Sequence, residues 1–329
     1  MSGMQAPVTA GEFADRAEPF RGELLAHCYR MTGSLQDAED LVQETYLRAW
    51  RAYDRFEHRS SLRTWLYRIA TNACLNALRH SGRRALPSGL GPSGTGPSAA
   101  LENAGPGTLW IEPMPHAMLA SEHDDPAAVA IGREGIRLAL VASLQYLSPR
   151  QRAVLILRDV LAWPAAEVAE ALETNVGAVK SLLQRARRRL DEVKPQMGDV
   201  LEPSHPEARR LLRQYMDAFE NADAAAFERV LRQDAVLEVT GTGVWFEGKR
   251  ACVSYLVEHV ATAPGVWRTI ATESNGQPAI APYLHVGDGI YRGVGIGVLT
   301  ATGTGIARVT VFADAVLLGR SGLPASLPA

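Results

Sequence analysis

Along residues 10–84 the apolar side chains recur at helical spacing. In "SLQDAEDLVQETYLRAW" Ser34 stands as an N-cap with Asp37 three positions on, and Ala38, Leu41, Val42, Thr45 and Ala49 follow on one face. A second helix is predicted through "SLRTWLYRIATNACLNALRH". Leu62, Trp65, Leu66, Ile69, Ala73 and Ala77 form its apolar face, and Trp65 is read as core. Arg63, Tyr67, Arg68, Asn72, Asn76 and Arg79 lie opposite. The period then stops. Residues 85–108 are dominated by Gly, Pro, Ser and Ala, which is the composition of a flexible tether, interrupted at 109–115 by "LWIEPMP".

Helices resume from about Asp125. "SPRQRAVLILRDVLAW" opens with Ser148 as N-cap and Pro149 at the first helical position. A helix over "PAAEVAEAL", a short turn and a helix over "VGAVKSLLQRARRRL" follow, and "KPQMGDVLEPSHP" closes this part with prolines. Beyond it the period changes. Two amphipathic helices run through "EARRLLRQYMDAFENADAAAFERVLRQDA" and a third through "KRACVSYLVEHVA". Strand-like runs surround them: "VLEVTG", "WRTIATES", "PAIAPYLHV", "YRGVGIGVLTA" and "IARVTVF". The order predicts two all-α domains joined by a tether, then an α+β domain with a curved sheet. The boundaries read as 10–84, 85–124, 125–195 and 206–323.

Charge alters this picture because it is segregated. Residues 147–197 hold 9 Lys/Arg against 6 Asp/Glu, whereas 85–146 hold 2 against 6 and 198–329 hold 11 against 14. A near-neutral chain therefore carries local basic parts, as nucleic-acid binding by individual domains requires. The three cysteines, Cys28, Cys74 and Cys252, are odd in number and far apart, which predicts reduced, buried thiols rather than a disulfide framework or zinc site. No long apolar run or leader-like start is present, so a cytoplasmic protein without membrane contact is expected.

The sharpest concentration of charge is 180–190, with five basic residues and no acid. Val179, Leu183, Ala186 and Leu190 form an inward stripe; Lys180, Ser181, Gln184, Arg185 and Arg188 point away, with Asn175 at the amino end. This is the pattern of a helix–turn–helix recognition helix. Lys180 and Gln184 suit guanine and adenine edges, and the arginines suit phosphates.

With these motifs in order, the chain resembles the extracytoplasmic-function group of sigma factors. "DAEDLVQETYLRAW" with "SSLRTWLYRIATNACLNALR" is similar to region 2, and residues 147–190 are similar to region 4. The resemblance implies that Asp40, Gln43 and Glu44 dock on the β′ clamp helices of core RNA polymerase, and that region 4 meets the β flap. Arg63, Arg68, Asn72, Asn76 and Arg79 would then read the −10 element, with Phe56 holding an unstacked base, and residues 176–190 the −35 element. Leu182 stands where relatives often carry arginine, so −35 preference does not transfer by analogy. The segment 85–124 would thread the polymerase channel in place of a region 3 domain.

"NGQPAI" and "IARVTVF" resemble the SnoaL-like, nuclear-transport-factor-2-like family, implying a cone of sheet and helices. "GTGIARV" lacks the acid of that family's usual turn. Such a domain, with a Trp-containing linker, would modulate the sigma factor in cis, and Trp110, Ile111, Glu112 and Pro113 mark the linker contact. Tyr283, His285 and Tyr291 are the candidate pocket residues, with a small ligand as candidate occupant; Asp288 reads as a turn residue. No acid–base pair, cofactor or metal is called for. Two other readings compete: a helix–turn–helix regulator with a ligand-sensing domain, and a cone-fold isomerase or cyclase fused to a DNA-binding module.

Overall fold

The computed structural model describes residues 10–56, 60–79, 81–90, 93–94, 107–118, 135–193 and 199–328. They form two compact units. One comprises Met1–Arg83 with Met118–Lys194, and the other Arg84–Ala117 with Pro195–Ala329. Parts of the sequence boundaries, 119–134 and 194–198, lie outside the described residues. No described helix is long and apolar enough to cross a membrane.

The first unit is all α. Its helices are α1 (Ala10–Ala17), α2 (Arg21–Thr32), α3 (Leu35–Ala52), α4 (Leu62–Ala77), α5 (Leu138–Leu144), α6 (Pro149–Leu155), α7 (Ala165–Ala171) and α8 (Val176–Val193). Local chemistry sets their starts. Ser34 Oγ accepts from Asp37 N at 3.1 Å, and Ser61 Oγ accepts from Thr64 N at 3.0 Å. At α6 Ser148 and Gln151 form a reciprocal capping box behind Pro149. Gly33 ends α2 with φ of 73°. After α6 the chain widens into a π turn, Ile156–Val160, instead of continuing as α-helix.

The inward face of α4 differs from the expected one. Its buried residues are Leu66, Tyr67, Ala70, Thr71, Ala73 and Cys74; Trp65 and Ile69 are half-buried and Ala77 is exposed. Tyr67, read as polar, is buried because its ring packs edge-on to His27 and its hydroxyl finds the Glu23 carboxylate at 3.2 Å. Burial, then the Glu23 charge, pushes its phenol pKa up.

A buried polar cluster ties α2 to α4. Thr71 Oγ1 donates a hydrogen bond to Tyr67 O at 2.7 Å, so its oxygen accepts from His27 Nε2–H at 2.9 Å. His27 Nδ1 is then a buried lone pair without a partner among the described residues. Burial first, and the Arg30 charge second, lower the His27 pKa to about 3. In the unfolded chain the His27 imidazole takes up a proton near pH 6.5, and in the folded chain it does not. Stability is therefore intact above that pH and falls on acidification toward pH 3, by about 1.4 kcal/mol per pH unit. Urea midpoints measured at pH 7, 6 and 5 should fall more steeply in the wild type than in His27→Leu. Parallel slopes would remove His27 as the cause.

The second unit contains α9 (Pro206–Asn221), α10 (Ala224–Val230), α11 (Lys249–His259), α12 (Val316–Arg320) and one sheet. Its strands are β1 (Leu231–Thr240), β2 (Trp245–Glu247), β3 (Trp267–Ser274), β4 (Gln277–His285), β5 (Ile290–Gly293), β6 (Ile296–Thr302), β7 (Gly305–Phe312) and β8 (Ser326–Pro328). The order is β2-β1-β7-β6-β4-β5-β8, with β3 also on β4; β1 and β7 run parallel and the other pairs antiparallel. Helices α9–α11 and one sheet face enclose an apolar core containing Tyr215, Phe219, Phe227, Phe246, Tyr255 and Leu299. The run "YRGVGIGVLTA" breaks into β5 and β6 around Val294–Gly295, where a Cβ on Gly295 would run into the Phe312 carbonyl.

The segment read as a tether is, where described, part of this second unit. Ala85, Leu86, Pro87, Ile111 and Met114 are buried. Ala85 pairs with Trp110 in a parallel bridge, and Pro115 pairs with Ser274. Gly- and Pro-rich composition signals lack of periodic structure, but chain without a period can still be held by backbone hydrogen bonds.

Candidate nucleic-acid and polymerase interface

Along α3 the residues Gln36, Asp40, Gln43, Leu47 and Arg51 form an exposed stripe at i, i+4, i+7, i+11 and i+15. Asp40 accepts from Gln36 Nε2 at 3.4 Å, and Glu44, beside the stripe, is paired with Arg48 at 2.6 Å. Leu47 is 55% exposed, a large apolar side chain within this polar row. Charge does not mark Leu47 in the sequence; its place on the outward period of the helix does.

On α4 the arginines are not equivalent. Arg63 donates to both Glu23 oxygens from Nε, at 2.9 and 2.8 Å, and from Nη2 at 2.6 Å, and it lies over the Tyr67 ring. This pairing ties α4 to α2 and occupies the Arg63 guanidinium. Arg68 donates to Glu170 at 3.0 Å, and Asn72 Nδ2 reaches Ala171 O at 3.5 Å. Both partners belong to α7. Asn76 and Arg79 are exposed and line a groove with Asn72, Leu75, Ser148, Pro149, Arg150, Leu172 and Glu173. Phe56 stacks on Trp65 with centroids 4.6 Å apart, and Tyr53 adjoins both rings. Trp65 is thus a half-buried partner of Phe56, not a core residue.

Helices α7 and α8 form the helix–turn–helix. Their turn uses Thr174 N→Ala169 O at 2.9 Å and Glu173 at φ of 50°. Asn175 caps α8 through Ala178 N→Asn175 Oδ1 at 2.8 Å, so its carbonyl oxygen is committed to the helix. Val179, Leu183 and Ala186 are buried, while Lys180, Ser181, Gln184, Arg185 and Arg188 are exposed. Arg185 donates to Ser181 Oγ at 2.7 Å. Leu182 is half-buried between the two faces.

The Sigma-70 region 2 family matches residues 17–84 and the Sigma-70, region 4 family residues 137–190. ECF RNA polymerase sigma factor SigG of Mycobacterium tuberculosis is 48% identical over 319 residues, covering 96% of this chain and 85% of that one. The chain belongs to the extracytoplasmic-function sigma factors. SigJ of the same organism is 32% identical over 190 residues, 58% of this chain and 54% of that one. The crystal structure of that organism's SigJ shares the fold, with a TM-score of 0.62, 23% identity and coverage of 95% and 99%.

In this sigma factor, regions 2 and 4 lie within one compact unit. Arg152 joins them: it donates to Met31 O in region 2, to Gln145 Oε1 at 2.8 Å and to Leu147 O at 3.2 Å. Arg30 makes the reciprocal reach, Nε→Gly135 O at 3.0 Å. Burial lowers each guanidinium's pKa to about 10, and both remain charged near neutral pH. Arg83 and Arg189 lie over the Tyr146 ring, 4.3 and 5.9 Å from its centroid.

The linker residues of the sigma factor dock on the cone domain. Asn275 and Gly276, with φ of 56° and 63°, make the two-residue β3–β4 turn. Asn275 Oδ1 accepts from Met114 N at 2.8 Å, and Met114 O accepts from Asn275 N at 2.8 Å and Ser274 Oγ at 3.0 Å. The "NGQ" motif is thereby explained: Asn275 clamps the linker backbone, and Gln277 ties β4 to Leu299 O and Thr300 on β6. Glu112 lies 3.8 Å from Arg84 and 3.9 Å from Arg320. Glu238, fully buried, holds Arg308 at 2.8 Å and accepts from Ser88 N at 3.2 Å. Trp110 sits half-buried, its carbonyl accepting from Arg84 Nη1 at 3.1 Å.

The candidate pocket residues do not face the cone interior. Ile280 belongs to the aromatic-lined core, so Tyr283 and His285, odd steps along β4, stand on the opposite sheet face. Tyr291 lies directly across from His285. Tyr283 donates to Pro324 O at 2.9 Å, Tyr291 donates to Gly265 O at 2.8 Å, and His285 is exposed. The two hydroxyls fasten loops, and alternation alone could not reveal which sheet face the helices cover.

Proposed function

We propose that this sigma factor rests in a closed form, in which region 4 covers part of the −10-reading face of region 2, and that core RNA polymerase opens it in the cytoplasm. The pairing of Arg68 with Glu170 and of Asn72 with Ala171 O carries this reading. On opening, the α3 stripe docks on the β′ clamp helices, Arg68, Asn72, Asn76 and Arg79 read the −10 element, and Phe56 receives an unstacked base. Region 4 meets the β flap, and Lys180, Ser181, Gln184, Arg185 and Arg188 read the −35 element, with Asn175 setting the helix start. No covalent chemistry by the sigma factor is required.

The cone domain regulates this opening through the linker. Residues 84–117 lie in the covalent path between regions 2 and 4, and docking them shortens the chain available to span two promoter elements. Asn275→Ala removes the clamp on Met114 and should free Trp110 and its neighbours. The expected results are a change in Trp fluorescence, faster amide exchange at 109–116, and transcription from the same start sites at an altered level with purified core polymerase. Faster exchange with unchanged transcription across a range of polymerase concentrations would count against regulation through the linker. Loss of discrete start sites in the wild type would count against promoter recognition itself. A small ligand in the cone has no support from Tyr283, His285 and Tyr291, which line the other face.

A further inference from the structure

The basic residues of α8 differ in what already holds them. Arg188 is 80% exposed at its side chain and approaches Glu192 only at 4.0 Å. Lys180 has no ion-pair partner among the described residues. Arg187 faces the same shallow groove as Lys180, Gln184 and Arg188, yet its fork is occupied. Nε donates to Asp159 Oδ2 at 2.9 Å and Nη2 to Asp159 Oδ1 at 2.7 Å. Two parallel charge-assisted bonds are the geometry with which arginine would otherwise grip a phosphate. Asp159 reaches it from the π turn after α6, where the widened backbone displaces the side chains from their α-helical positions.

We propose that Asp159 sets the strength of −35 binding by withholding Arg187 from the DNA backbone. The inference rests on the reading of α8 as the −35 helix. A phosphate could take Arg187 only by leaving Asp159 as an uncompensated carboxylate beside a polyanion, which opposes the exchange. Region 4 therefore binds without the Arg187 cation. That keeps its own affinity low and makes promoter capture depend on region 2 and polymerase acting together.

The test uses the full chain assembled with core polymerase and a duplex selected by wild-type holoenzyme from random sequence, with affinity measured against salt concentration. Asp159→Asn should tighten binding about tenfold and steepen the log–log salt slope by about one, as for one added phosphate contact. Arg187→Ala should stay within about twofold of wild type with an unchanged slope. Asp159→Asn combined with Arg187→Ala should lose the added slope, and Asp159→Glu should restore wild-type behaviour. An unchanged slope in Asp159→Asn overturns the proposal. So does an Arg187→Ala loss equal to that of Arg188→Ala, and this arm decides alone if Asp159→Asn does not fold. If Lys180→Ala and Arg188→Ala both leave the slope unchanged, the −35 reading of α8 fails instead.

Discussion

Arg152→Ala should unfold the helical unit in two steps where the wild type shows one, with a loss of about 3 kcal/mol. The substitution leaves Met31 O, Leu147 O and Gln145 Oε1 without the donor that joins them. It also removes an aliphatic stem from a nearly fully buried site. Arg152 carries its charge there without a carboxylate among these partners, so the junction is held by hydrogen bonds to carbonyls against a desolvation cost. Such a junction is stable in place and sensitive to loss of either side. The functional consequence follows from the same geometry: once region 4 parts from region 2, Arg68 and Asn72 lose Glu170 and Ala171 O. Binding of single-stranded DNA carrying a −10 element by the polymerase-free chain should rise about tenfold. Arg152→Met, which keeps most of the stem volume, should show the same gain with a smaller loss of stability. Reduced stability without any gain in DNA binding would mean that region 4 does not guard the −10 face.

What could be read from the sequence, and what could not, divides by the range of the interactions. Ser34, Ser148 with Pro149, and the turn before α8 were legible because caps and turns are written within four residues. The strands β3 and β7 were legible because their alternation and punctuation are equally local. The inward face of α4 was misjudged since Tyr67 counts as polar until Glu23, from another helix, meets its hydroxyl. Arg63 and Arg68 stand on the polar face of α4, yet their partners Glu23 and Glu170 lie 40 and 102 positions away. No local pattern carries that information.

The linker shows the same limit more sharply. Trp110, Ile111, Glu112 and Pro113 were singled out as a docking segment, but composition gave no sign that Ala85–Pro87 would join them against the sheet. Its receptor was visible only as the "NGQPAI" of a family resemblance, with no sign of what it binds. The short β2, β8 and α12 are defined by their neighbours, not by their own period. A polar, buried outer sheet face built from Glu238, Arg308 and Thr310 became intelligible only with the covering segment in place.

The second large effect is expected on α3, where two substitutions should weaken polymerase binding by different routes. Leu47→Asp removes the large apolar side chain of the exposed stripe, the kind of residue whose loss commonly costs most in an interface. The sigma–core Kd should rise at least tenfold, chiefly through faster dissociation. Asp40→Arg reverses a charge on the same stripe, about one turn before Gln43. Its main effect should be a slower association whose difference from wild type shrinks as salt rises, because encounter is steered over distances that salt screens. Glu44→Ala should do less than either, since Glu44 already spends its charge on Arg48. All three positions lie on the solvent side of a helix whose core face is Leu41, Val42, Thr45 and Ala49, so melting should stay within about 0.5 kcal/mol of wild type. Equal salt dependence for Leu47→Asp and Asp40→Arg would show that the stripe does not meet polymerase as an apolar anchor within a polar rim. Unchanged Kd in both would move the docking surface off α3 altogether.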